Sequence, residues 1–177
     1  ETATPLQALA AVSTSPEYDE NTTGLSMGNL REIVIKSIRY LCFTHDTGPE
    51  ECVRPDKVLG LPRSWGTKWG ERGKGYFPES QCGPTIANMT TAARMLKPHV
   101  DDETILMLGN ICLDYLDRFG EMEPKSGIYA DTQMEENAWT ALGLAACYLF
   151  LSEHERAGEW EENAKRWMYS ACSAPQD

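Results

Sequence analysis

The sequence predicts an all-α protein built from antiparallel helical hairpins that form part of an incomplete α/α toroid. Three observations carry this prediction. Apolar residues recur at three- and four-residue intervals through most of the chain after residue 25, with charged residues between them. Short Ser, Thr or Asp signals followed by acids stand ahead of several of these stretches, as helix openings do. Nowhere do apolar and polar residues alternate over a length that would make a half-buried strand.

Residues 1–24 are rich in Thr, Ser, Ala and Pro and hold few large apolar groups, which predicts a flexible N-terminal tail with at most a short helix around Pro5 to Val12. The helical domain then spans residues 25–177. Its first helix opens at Ser26 and carries Leu30, Val34, Ile38 and Leu41 on one face, with Arg31, Glu32, Lys36 and Arg39 between them, and ends near Phe43. A long loop follows over residues 44–81. Gly48, Pro49, Pro55, Gly60, Pro62, Gly66, Gly70, Gly73, Gly75 and Pro78 rule out a regular helix there. Trp65, Trp69, Tyr76 and Phe77 are costly to leave in water, so the loop is expected to pack and to line something.

Pro84 suits the first turn of a second helix with Ile86, Met89, Ala93 and Leu96 on one face, stopping before Pro98. Asp101, Asp102 and Glu103 cap a third helix whose stripe is Ile105, Leu108, Cys112, Tyr115, Leu116 and Phe119, and Gly120 stops it. Thr132 with Glu135 reads as a capping box opening a fourth helix that groups Trp139, Leu142, Ala146 and Leu149. Ser152 with Glu155 repeats the signal before a fifth, striped by Ala157, Trp160, Ala164, Trp167 and Ala171. The short link between the fourth and fifth helices forces them side by side and antiparallel.

Composition narrows the function. An apolar fraction of 41% with 24% charged residues is ordinary for a folded chain, and 177 residues suffice for one buried core. A net charge of −11 repels phosphate backbones, so no nucleic-acid partner is expected. There is no apolar run long enough to span a bilayer and no signal segment at Glu1, so no membrane partner is expected either. The six cysteines form no C-x-x-C pair and no His stands at zinc-ligand spacing, so neither metal nor cofactor is expected. Cys112, Cys147 and Cys172 fall within helical patterns as buried free thiols, whereas Cys42 and Cys52 flank one loop and are the first pair to consider for a disulfide.

The charge is unevenly spread. Between Arg54 and Lys74 six cations face two acids, a balance of +4, so the remainder of the chain must carry −15. A basic, tryptophan-bearing loop on an acidic body suits an anionic sugar polymer: cations hold carboxylate or sulfate while indole faces pack on sugar C–H patches. Arg63, Trp65, Lys68, Trp69 and Arg72 are the candidate contacts. The alternative is that Trp65 and Trp69 plug the loop onto the helices while the cations are solvated. His45, beside Asp46, is a candidate hydrogen-bond donor or proton carrier, or else a structural residue bonded to Asp46 or to backbone. Asn137 can present a neutral amide toward a carboxylate and so stabilise an enolate-like intermediate, or bond the adjoining loop. His99 and His154 read as surface residues. No G-x-S-x-G, P-loop, G-x-G-x-x-G or H-E-x-x-H motif occurs.

Three stretches together are similar to a known family. They are Arg39-Tyr40 through Thr44-His45-Asp46-Thr47-Gly48, the turn Arg63-Ser64-Trp65-Gly66, and Asp131 through Ala141, followed by Ser152-Glu153-His154-Glu155-Arg156-Ala157 and Trp160 to Met168. Their order resembles the N-terminal α/α-toroid region of heparinase II/III-like proteins over roughly residues 30 to 177. The resemblance implies a polysaccharide lyase-type protein that holds a uronate-containing polysaccharide for β-elimination, in a secreted or periplasmic setting. It further implies a β-sandwich domain, an Asn-His segment and a catalytic tyrosine beyond Asp177, so the chain is expected to be a fragment inactive by itself. From that pattern His45, Arg63, Trp65 and Asn137 are possible substrate contacts. Two other classes compete. One is a non-catalytic helical scaffold that binds a protein partner, or itself through an exposed toroid edge. The other is a glycoside hydrolase on an α/α barrel, which needs two facing carboxylates.

Overall fold

The computed structural model describes residues 3–49, 69–70, 79–124 and 133–172, without the side chains of residues 79–81 and 133. Among the described residues the protein is all-helical. Seven α-helices run in order: α1 Leu6–Val12, α2 Glu20–Thr23, α3 Met27–Thr44, α4 Glu79–Met95, α5 Asp102–Phe119, α6 Gln133–Phe150 and α7 Ala157–Cys172, with a single 3₁₀ turn at Lys97–His99. The one extended pairing described is an isolated parallel bridge between His45 and Trp69.

α6 is the central element. It packs along α4 on one side and α7 on the other, with α5 beneath, while α1 lies on α4 and α3 leans on α1 and α5. α6 and α7 form the expected antiparallel hairpin, since Asn137 near the start of α6 donates to Ser170 Oγ in the last turn of α7 at 2.8 Å. The core gathers Val34 and Ile38 of α3, Ile86 and Met89 of α4, Leu108, Ile111 and Tyr115 of α5, Leu144 of α6, and Trp160 and Trp167 of α7.

Several local expectations need correction. Within residues 1–24 the short helix expected around Pro5 to Val12 forms as α1, but it is packed rather than loose: it buries Leu6 and Ala10, and Ala3 joins the same core. Leu6 supplies the apolar anchor as α1 packs on α4, and Arg31 Nε ties the end of α1 by donating to Ser13 O at 2.9 Å. The second predicted helix begins five residues before Pro84, which is therefore interior and leaves the carbonyl four residues earlier without its helical N–H. On α6 the buried set is Asn137, Thr140, Ala141, Gly143, Leu144 and Cys147, whereas Leu142 and Leu149 are exposed. Ser152 does not cap the last helix. His154 accepts from Arg156 N at 3.2 Å and lays its ring 4.6 Å from that of Trp160, so α7 starts later, at Ala157.

The thiols also redistribute. Cys42, Cys82, Cys112 and Cys147 are buried, while Cys172 is exposed rather than buried. Cys42 faces the core near Cys112, and burial pushes its thiol up to about 12, so it behaves as a small apolar group and not as half of a disulfide.

The caps of α3 and α5 follow the sequence closely. Ser26 Oγ accepts from Asn29 N at 3.1 Å, and Asp101 Oδ1 from Thr104 N at 2.9 Å. Asp101 also pairs with Arg39 at 3.0 Å, and Arg39 pairs with Glu103 as well, so two carboxylates at the start of α5 hold it to α3. Asp101→Ala is expected to cost about 1 kcal/mol in urea denaturation. The Thr104 hydrogen bonds, first the backbone N–H, hold the Asp101 carboxyl below its ordinary value. Its contribution is therefore complete above the unfolded value of about 3.9 and disappears as pH falls through the lower folded value.

Candidate functional site

The last four carbonyls of a helix lack intrahelical donors. At the C-terminal end of α3 these groups are supplied by a residue twenty-five positions further on. Trp69 N donates to Thr44 O at 3.0 Å, and Trp69 Nε1 to Leu41 O at 2.8 Å. Asp46 N returns the bond to Trp69 O at 2.8 Å, which completes the bridge. Trp69 thus spends its indole N–H on the helix end, and its half-buried ring stands edge-on to His45 with centroids 4.5 Å apart at 77°.

His45 is wholly buried. Its Nδ1 accepts from Thr47 N at 3.1 Å and lies 2.9 Å from Thr47 Oγ1. A backbone N–H only donates, so Nδ1 carries no proton in this arrangement and the neutral ring bears its hydrogen on Nε2. The expectation of a structural bond from His45 to backbone is met at Thr47. Gly70 has φ +108°, and a Cβ there would run into His45 Nε2 and meet its Cε1 at 2.9 Å. Both the backbone angle and the contact require glycine at this position. Thr47, Gly70 and the Leu41 carbonyl are the members of the site that sequence reasoning missed; the Thr47-Gly48 turn and the glycines of the loop were the available signals.

Of the sequence-predicted site residues, the structure brings His45 and Trp69 together. Arg63, Trp65, Lys68 and Arg72 lie outside the described residues. Asn137 belongs to a different pair of elements: it is buried, and its amide nitrogen holds α6 to α7 through Ser170. A second polar group that sequence reasoning did not single out lies inside the molecule, where the buried Asp114 pairs with Arg118 at 3.0 Å. Beside them Tyr115 packs its ring in the core, and burial first, then Cys147 and Cys82, drives its hydroxyl far above the ordinary tyrosine value. A phenol so placed is a poor proton acceptor at neutral pH. No group of three metal-binding side chains occurs among the described residues, and no described helix is long and apolar enough to cross a membrane.

The clasp makes a specific prediction. Trp69→Phe keeps the ring against His45 but removes the donor to Leu41 O, and should cost about 1 kcal/mol. Hydrogen exchange should quicken at the end of α3 while α6 and α7 keep their protection, which distinguishes a lost cap from general loosening. Comparison with family models, with curated protein sequences and with solved structures returns no match to this chain.

Proposed function

We propose that this chain is the helical binding part of a carbohydrate-active protein, holding an acidic, uronate-containing polysaccharide against its cationic loop, with its hairpins forming part of an incomplete α/α toroid. The observation that carries the reading is the charge pattern. A +4 segment, Arg54 to Lys74, belongs to a chain whose remainder carries −15, and Trp69 within it is fastened to the end of α3. Arg63, Lys68 and Arg72 supply guanidinium and ammonium groups for carboxylate or sulfate, and Trp65 an indole face for the sugar ring. The β-elimination itself needs an amide or imidazole on the uronate carboxylate and a base at C5. His45 and Asn137, the candidates for the first of these, are engaged in holding secondary structure, so the reading is one of binding.

Titration with uronate oligosaccharides tests this, with absorbance of the unsaturated product followed in parallel. Binding that weakens with salt and in Arg63→Ala is expected, without product. No binding at millimolar oligosaccharide would remove the reading.

The second reading, a helical scaffold for a protein partner or for self-association, is favoured by one specific observation. The outer face of α6 is apolar and exposed.

A further inference from the structure

Surface helices in a water-soluble core normally turn a charged face outward. α5 and α7 do so, with Asp102, Glu103 and Asp117 outward on the first and Glu159, Glu162, Lys165 and Arg166 on the second. α6 does not. After Glu136 it has no charged residue up to its end at Phe150. Its exposed apolar residues Met134, Ala138, Leu142 and Leu149, with half-buried Ala145, fall on one stripe at i, i+4, i+8, i+11 and i+15. Met134 and Leu142 are each 47% exposed and Leu149 42%. At 1.5 Å per residue the stripe is about 22 Å long, the length of a four-turn helix and short of the roughly 30 Å needed to span a bilayer.

Both ends of this stripe are acidic. Glu135 is exposed in the first turn, and Glu153 and Glu155 are exposed just past the last. The neighbouring cation is already committed, since Arg156 pairs with Glu121 at 2.9 Å and Glu159 at 3.0 Å. A second copy of α6 is therefore a poor occupant. Parallel pairing sets Glu135 against Glu135, and antiparallel pairing sets Glu135 against Glu153 and Glu155, so like charges meet either way.

We propose that the outer face of α6 is a docking surface for an amphipathic helix of another protein, with an apolar stripe of about four turns and Lys or Arg at both ends. This deepens the scaffold reading and does not depend on the polysaccharide reading.

The test uses the full chain and a fluorescein-labelled synthetic helical peptide, with leucines at i, i+4 spacing and lysines at both ends, followed by anisotropy. Saturable binding is expected, weakened about tenfold or more by Leu142→Glu. The combined change Glu135→Gln, Glu153→Gln and Glu155→Gln leaves the apolar stripe intact and should weaken binding and flatten its salt dependence. Circular dichroism melts confirm that each variant folds, and Leu149→Gln replaces Leu142→Glu if the latter does not. The proposal is overturned if a glutamate-ended version of the peptide binds equally well, or if no peptide binds. It is equally overturned if light scattering shows a dimer that Leu142→Glu dissociates, since the occupant is then a second copy. Uronate binding unchanged in Leu142→Glu would keep the two functional readings separable.

Discussion

Replacing Gly143 with leucine should lower unfolding stability by about 3 kcal/mol, at the upper end of what overpacking usually costs. A Cβ at residue 143 would stand 2.7 Å from the Gly83 Cα and 2.7 Å from Tyr115 ring carbons. Real Cβ atoms do not approach that closely, so α4 and α6 must separate or the Tyr115 ring must move. The ring has little room, being fully buried and lying tilted against Phe119 with centroids 4.6 Å apart. The partner glycine is under the same constraint, because a Cβ at Gly83 would collide with the carbonyl oxygen of Trp139. Here the obstacle is backbone, which no rotamer change relieves. Gly143→Ala should cost less than leucine but more than the few tenths typical of a surface change. Urea midpoints for the alanine, valine and leucine series should fall in that order. A flat series would mean that the two helices do not cross at these glycines.

That crossing also explains which parts of the fold could be read in advance. Ser26 before α3 and Asp101 before α5 act on N–H groups two or three residues away, and such short-range signals are visible in the sequence. The faces of α3 and α5 were equally plain, because Leu30, Val34 and Ile38, or Leu108, Cys112 and Tyr115, stand out against charged neighbours. α6 offers no such contrast: it is apolar nearly all round, so its periodicity does not select a face. Its orientation comes from Gly83, some sixty residues away, which pulls the Gly143 side of the helix inward and leaves Leu142 and Leu149 outside. The start of α7 was missed for a related reason. The Ser152 signal was satisfied in pattern, but the His154 ring found Trp160 and rebuilt the turn around itself.

The candidate site was legible to a similar depth. Aromatic content alone implied that the loop packs, and Trp69 does. That it would do so by capping α3 at Leu41 and Thr44 depends on the two segments meeting in space, which no local pattern encodes. The role of Asn137 was decided likewise by Ser170, thirty-three residues on. A polar residue at a helix start is compatible with catalysis and with packing, and only the partner distinguishes them.

The largest loss is expected for Trp167→Ala, about 3–5 kcal/mol, the range for removing a buried tryptophan. Trp167 is 1% exposed, and its Nε1 donates to Met122 O at 3.2 Å, so it both fills the core and holds the chain after α5 onto α7. The adjoining Asn163 acts on the same stretch through the Phe119 and Gly120 carbonyls. Removing the indole leaves a cavity and a carbonyl that must find water. A domain of this size is stable by only about 5–15 kcal/mol in all, so the change should shift the thermal midpoint by many degrees. Trp167→Phe should recover much of the volume but not the bond to Met122. Leu142→Ala is the informative contrast. Leucine is nearly as apolar as tryptophan and lies on the adjacent helix, yet at 47% exposure its truncation should change stability by under about 0.5 kcal/mol. If both truncations proved equally costly, the outer face of α6 would be buried in solution, and its occupant would already be in place.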